Sequence, residues 1–111
     1  MNIKYTSREY TKADLYKAVK QAINAKDYEK GRFTIDGYIE YEDTNSKGET
    51  VSLLVLSTTD GEFIATQSET IKNDFKEILE IFDEDCTAIT ELEILSGTSK
   101  AGRKFYSLLL C

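Results

Sequence analysis

Apolar positions in the first third of the chain recur at helical spacing. Leu15, Ala18, Val19, Ala22 and Ile23 fall at i, i+3, i+4, i+7 and i+8, while Lys12, Lys17, Lys20 and Lys26 lie off that stripe. Thr11, three residues before Asp14, has the spacing of a capping box. The pattern predicts a helix from Thr11 to Ala25 or Lys26, a short extended arm over 1–10 before it, and a turn closed by Gly31 after it. From Arg32 the period changes to two. Phe33, Ile35, Gly37, Ile39 and Tyr41 share one face of a predicted strand, and Thr34, Asp36, Tyr38, Glu40 and Glu42 share the other. Gly37 marks a bend or bulge in it. A turn cluster over Asp43–Gly48 leads to an apolar strand, Val51–Ser57. Thr59-Asp60-Gly61 is a hairpin signal, and Phe63–Gln67 pairs back. Ser68 or Thr70 caps a second helix with the stripe Ile71, Phe75, Ile78, Leu79 and Phe82. A strand over Thr87–Leu95, with Ala88, Thr90, Leu92 and Ile94 inward, a polar loop over Ser96–Gly102 and a last strand over Arg103–Leu110 complete the chain.

These elements make one domain, with an N-terminal arm and helix over 1–30 and a core over 31–111. The core order β-β-β-α-β-β is that of an OB-fold. The expected class is therefore mainly β with helices: an OB-fold-like five-stranded antiparallel barrel carrying an extra N-terminal helix. Loops 1–2 and 4–5 of such a barrel flank its ligand face. Here they are Asp43–Glu49 and Ser96–Gly102. The competing architecture is an α+β layer, a meander sheet with both helices on one face. The stripe of the first helix must be buried, against one end of the barrel or against a second copy of the chain.

Charge changes this picture through its distribution. The chain has a formal net charge of −6, whereas nucleic-acid-binding domains are usually basic. Residues 60–93 carry two Lys/Arg against eleven Asp/Glu, and 94–111 carry three basic residues and no acid. The acidity is thus concentrated on one segment, and a basic surface elsewhere is allowed. There is no histidine, so the commonest general base is missing. Cys86 lies beside acids that oppose thiolate formation. Asp83-Glu84-Asp85 lacks the spacing and glycine of a calcium loop. Neither enzyme chemistry nor a metal or cofactor is expected. Two cysteines, no apolar leader and no run of about 18 apolar residues lead to an expectation of a cytoplasmic protein with reduced thiols.

The two binding loops resemble each other. N-S-K-G-E-T-V-S-L-L-V-L and S-G-T-S-K-A-G-R-K-F-Y-S-L-L-L each run from a Ser-Lys and a Gly into a strand. Lys47, Lys100, Arg103 and Lys104 are the candidates for phosphate contact, and Tyr38, Tyr41, Phe63, Phe105 and Tyr106 for base stacking. Tyr38, set among Asp36 and Glu40, is expected to be the most exposed ring. Parity places Phe33 and Phe105 with the core, and leaves Tyr106 and the choice between Phe63 and Ile64 open.

The segments G-T-S-K-A-G-R-K-F-Y and E-D-T-N-S-K-G-E, the latter followed by an apolar strand and T-T-D-G, resemble the single-stranded DNA-binding proteins of tailed phages of Gram-positive bacteria. The likeness spans roughly Gly31 to Leu110. It implies an OB barrel, often dimeric, that coats single strands in the host cytoplasm during replication and recombination, alongside the proteins of those processes. On this chain it implies nucleic-acid roles for Lys47, Lys100, Arg103, Lys104 and Tyr106. Two functions are therefore expected in order. The first is non-sequence-specific binding of single-stranded DNA. The second is an acidic protein-interaction module, such as a phage inhibitor that mimics DNA toward a host nucleic-acid enzyme.

Overall fold

Leu53, Leu54, Val55 and Leu56 are four apolar residues in a row, and successive residues of a strand face opposite ways. A strand with that composition must be covered on both sides. A computed structural model of residues 1–111 shows that it is. The elements are β1 (Asn2–Thr6), α1 (Lys12–Lys20), β2 (Ile23–Asn24), β3 (Ile35–Thr44), β4 (Thr50–Thr58), β5 (Phe63–Thr66), α2 (Glu69–Ile81), β6 (Leu92–Thr98) and β7 (Lys104–Leu110). Short 3-10 turns occupy Ala25–Asp27 and Cys86–Ala88. The architecture is mainly β with two α-helices, and no helix is long and apolar enough to cross a membrane.

The main sheet has the order β1-β3-β4-β5-β2, and β6 and β7 form a separate hairpin. Only β2 is parallel to its neighbour, β5. Val55 lies on one face in a cluster with Ala18, Ile39, Tyr41 and Phe63, against which Leu15 and Val19 of α1 pack. Leu54 and Leu56 lie on the other face with Ile64 of β5, covered by Ile71, Phe75 and Leu79 of α2 and Leu92 and Leu108 of the hairpin. The two helices therefore cover opposite faces, not one face as the layer alternative supposes.

The expected closed barrel is replaced by an open sheet. To close, the β6–β7 hairpin would have to join the free edges of β3 and β5. The N-terminal segment takes both places. β1 pairs along β3 from Ile39 to Glu42, and β2 lies against Ile64 and Ala65 of β5. One antiparallel bridge, Phe33 to Leu92, is all that ties β6 to the strand leading into β3. The same competition shortens α1. Its capping box at Thr11 and Asp14 forms as expected, but the helix ends at Lys20, because Ile23 and Asn24 pair with β5 instead of extending the stripe. The sixth strand starts at Leu92, not Thr87: Ala88 and Thr90 are exposed, and Cys86 and Ile89 turn inward instead. Both cysteines are free thiols.

A bulge explains the remaining disagreement. Ile35 pairs with Thr58 but Gly37 with Ser57, so Asp36 is the extra residue. It reverses the parity of β3. Ile35 joins Tyr38 on the α2 side, while Ile39 and Tyr41 face α1. Asp36 is tied down by its neighbours: Ser57 Oγ donates to Asp36 Oδ1 at 2.6 Å and shares a 2.7 Å bond with Tyr10 Oη. Arg8 pairs with Asp36 at 3.2 Å and stacks 3.9 Å above the Tyr10 ring. Gly37 makes room for this clasp, since a Cβ there would lie 2.3 Å from Tyr10 Oη. Gly37→Ala should therefore destabilise the fold by about 1–3 kcal/mol in urea unfolding. Tyr10→Phe removes the struck hydroxyl, so the double variant should lose less than the sum of the two. Strict additivity would show that the clasp does not set the requirement for glycine.

Candidate nucleic-acid interface

Three hairpins in this chain close with one five-residue turn. In Asn45–Glu49, Thr58–Glu62 and Ser99–Arg103 the first N–H donates to the fifth carbonyl at 2.9, 2.8 and 2.8 Å. The fourth residue is Gly48, Gly61 or Gly102, each with φ of 80–84°, where a side chain is disfavoured. The fifth N–H donates to the side-chain oxygen of Asn45, Thr58 or Ser99 at 3.0–3.2 Å. The repeated Ser-Lys and Gly composition is thus turn chemistry, and it occurs at a third place that lacks lysine.

The turns differ in charge. Lys47 is exposed in a turn that also carries Glu49. Asp60 and Glu62 make the second turn acidic. Lys100, Arg103 and the adjoining Lys104 make the third basic, and none of the three has an ion-pair partner. The antiparallel Phe33–Leu92 bridge sets β6 running opposite to β3, and so turns the first and third loops away from each other. The structure does not bring Lys47 together with Lys100, Arg103 and Lys104.

Most of the expected stacking rings are buried. Tyr38, read as the exposed ring, is only 6% exposed because the Asp36 bulge rotates it into the α2 core. It meets Phe75 edge-on with ring centroids 5.0 Å apart, and Tyr5 at 5.3 Å. Tyr41 and Phe63 are buried on the α1 side. Tyr106 is half-buried on the inner face of the hairpin, where it packs against the α2 core. Tyr38, Tyr41 and Phe63 offer no free ring face to a base.

Phe105 reverses the expectation in the other direction. Parity assigned it to the core, yet it is 47% exposed. Across the hairpin its partner is Gly97. A Cβ on Gly97 would lie 2.5 Å from Phe105 Cζ and within 3.0 Å of both Cε atoms, so the ring lies across the glycine. One ring face covers backbone and the other looks outward near the basic turn, while Lys104, the preceding strand residue, leaves the opposite face of the hairpin. Leu95 and Leu109 share this outer face and are also exposed. A glycine inside a strand, opposite an aromatic, is the signal that could have found this platform.

A concavity of about 500 Å³ lies elsewhere, between α2 and the β3–β4 face over Tyr38, Leu54 and Phe75. It contains none of the basic hairpin residues. No group of three acidic or cysteine side chains converges as a metal ion would require. No protein-family model matches the chain, and no curated protein or solved structure matches it.

Burial, more than any other influence, raises the phenol pKa of Tyr10, Tyr38 and Tyr41, and a hydrogen bond with Tyr5 adds to it at Tyr38. The unfolded chain loses these protons near pH 10, and the folded chain holds them. Ionisation therefore favours the unfolded state, and stability should fall as pH rises through about 10. Tyr38→Phe should lessen that alkaline fall in urea-unfolding midpoints. Equal falls in wild type and variant would mean that Tyr38 ionises as readily folded as unfolded.

Proposed function

We propose that the chain binds single-stranded DNA without sequence specificity, through the outer face and turn of the β6–β7 hairpin. The observation that carries this reading is the Phe105 ring laid over Gly97, one face free, at the end of the hairpin that carries Lys100, Arg103 and Lys104, none of them in an ion pair. Every base has a π-face, so an exposed ring accepts any base, and lysine and arginine supply the attraction to phosphates. The hairpin is held by its inner face: Leu92 and Leu108 are in the core, and Leu108 N–H donates to Asp74 Oδ2 of α2 at 3.0 Å. Its tip projects clear of that anchorage. The OB-like part of the reading rests on the β-β-β-α-β-β order and on the Phe33–Leu92 bridge, which ties the segment just before the first strand of that series to the fourth. Coating of single strands during phage replication or recombination is the role this binding would serve.

The alternative reading, an acidic module for a basic partner, rests on α2 and the turn after it. Glu77, Glu80, Asp83, Glu84 and Asp85 are all exposed there. A fluorescent oligo-dT titration separates the two. Binding should weaken with salt at a log–log slope of about −2 for three phosphate contacts. Phe105→Ala should cost about 1–3 kcal/mol, roughly 5- to 150-fold in Kd, and Phe105→Trp should retain affinity. Absence of binding at low salt would remove this proposal and leave the acidic surface as the functional one.

A further inference from the structure

Beyond its bridge to Phe33, the outer edge of β6 makes no backbone hydrogen bond within the chain, although the 3-10 turn Ala25–Asp27 lies near the strand. In an antiparallel ladder, every second residue points its N–H and C=O away from its partner strand. Leu92 exchanges both of its backbone bonds with Phe33, at 2.8 and 2.9 Å, and Leu108 gives its N–H to Asp74. These two contacts fix the phase. On β6 the outward residues after Leu92 are Ile94, Ser96 and Thr98, and their outward groups take no partner within the chain. The edge of β7 is guarded by Asp74, and β1 carries Lys4 along its edge. From Ile94 to Ser99 the β6 edge bears no charge, proline or bulge, the devices that normally protect an exposed edge.

We propose that two copies of this chain pair antiparallel along β6, about a twofold axis at Ser96. Ile94 then faces the partner's Thr98, Ser96 faces the partner's Ser96, and Thr98 faces the partner's Ile94, each pair exchanging two hydrogen bonds. This register uses all three outward residues. A register centred on Leu95 would instead set Thr98 against the partner's Leu92, whose groups already bond Phe33. On the outer face, Leu95 comes to lie beside the partner's Gly97, against the edge of the partner's Phe105 ring, and the contact repeats across the axis. Leu95 is 41% exposed in the single chain.

Charge selects the same arrangement. The base of the hairpin is acidic, with Glu91 and Glu93, and the tip is basic, with Lys100, Arg103 and Lys104. Antiparallel pairing places the acidic base of each copy beside the basic turn of the other, whereas parallel pairing would set like charges together. The product is one four-stranded sheet with both Phe105 rings on its outer face. The proposal stands on the edge and its charges, independently of any nucleic acid.

Light scattering on a size-exclusion column should give twice the 12.6 kDa chain mass. Ser96→Pro should give the single-chain mass with an unchanged circular dichroism spectrum, because the N–H it removes points away from β7. In a Cys111→Ser background, Ser96→Cys should cross-link on oxidation, since paired Cα atoms about 5.5 Å apart suit a disulfide. Thr98→Cys should not, because its partner is Ile94. A single-chain mass for the wild type at high micromolar concentration would overturn the proposal. So would a dimer that survives Ser96→Pro, or cross-linking of both cysteine variants or of neither.

Discussion

The central strand β4 has Leu54 and Leu56 on one side and Val55 on the other, and all three are almost completely buried. Each such side chain contributes about 1.5–3 kcal/mol when fully removed from water. Neither face can be left open, so the chain has to provide two covers. α1 supplies one, and α2 with the β6–β7 hairpin supplies the other. The Asp36 bulge follows from the same demand. It lets β3 give Ile35 and Tyr38 to one core, and Ile39 and Tyr41 to the other, within a single strand.

Much of this was legible in the sequence, because the signals were local. The helix caps at Thr11 and Ser68 and the α2 stripe form as their residue types dictate, and the strand order follows the turns. What was not legible depended on partners distant in the chain. The apolar stripe of α1 runs on through Ala22 and Ile23, and only the free edge of β5 stops it. Alternation through β3 reads as unbroken unless the bulge is known. The resemblance of the Lys47 and Lys100 loops came from shared turn chemistry, which carries no information about where the loops point. Phe105 and Tyr106 sit in a strand that is apolar at both parities, so only the glycine across from Phe105 decides which ring faces out.

Charge is segregated with the same economy. The acidic surface of α2 lies on the side of the fold that holds the hairpin, and the basic residues stand at the hairpin's far end. A polyanion approaching this molecule would be repelled by α2 and drawn to the tip, so the negative net charge restricts the orientation of binding without forbidding it.

The two N-terminal strands also bear on the order of folding. β1 and β2 seal the outer edges of β3 and β5, yet their partners lie roughly forty residues further along the chain. Loop-closure entropy delays contacts of that span, while the β3-β4-β5 meander closes through five-residue turns. A chain whose meander has formed before its edges are sealed exposes two unpaired strand borders, one bearing Ile35, Tyr38, Ile39 and Tyr41 and the other Phe63 and Ile64. Its hazard during folding is therefore edge-to-edge association of incomplete sheets, which ends when β1 and β2 pair.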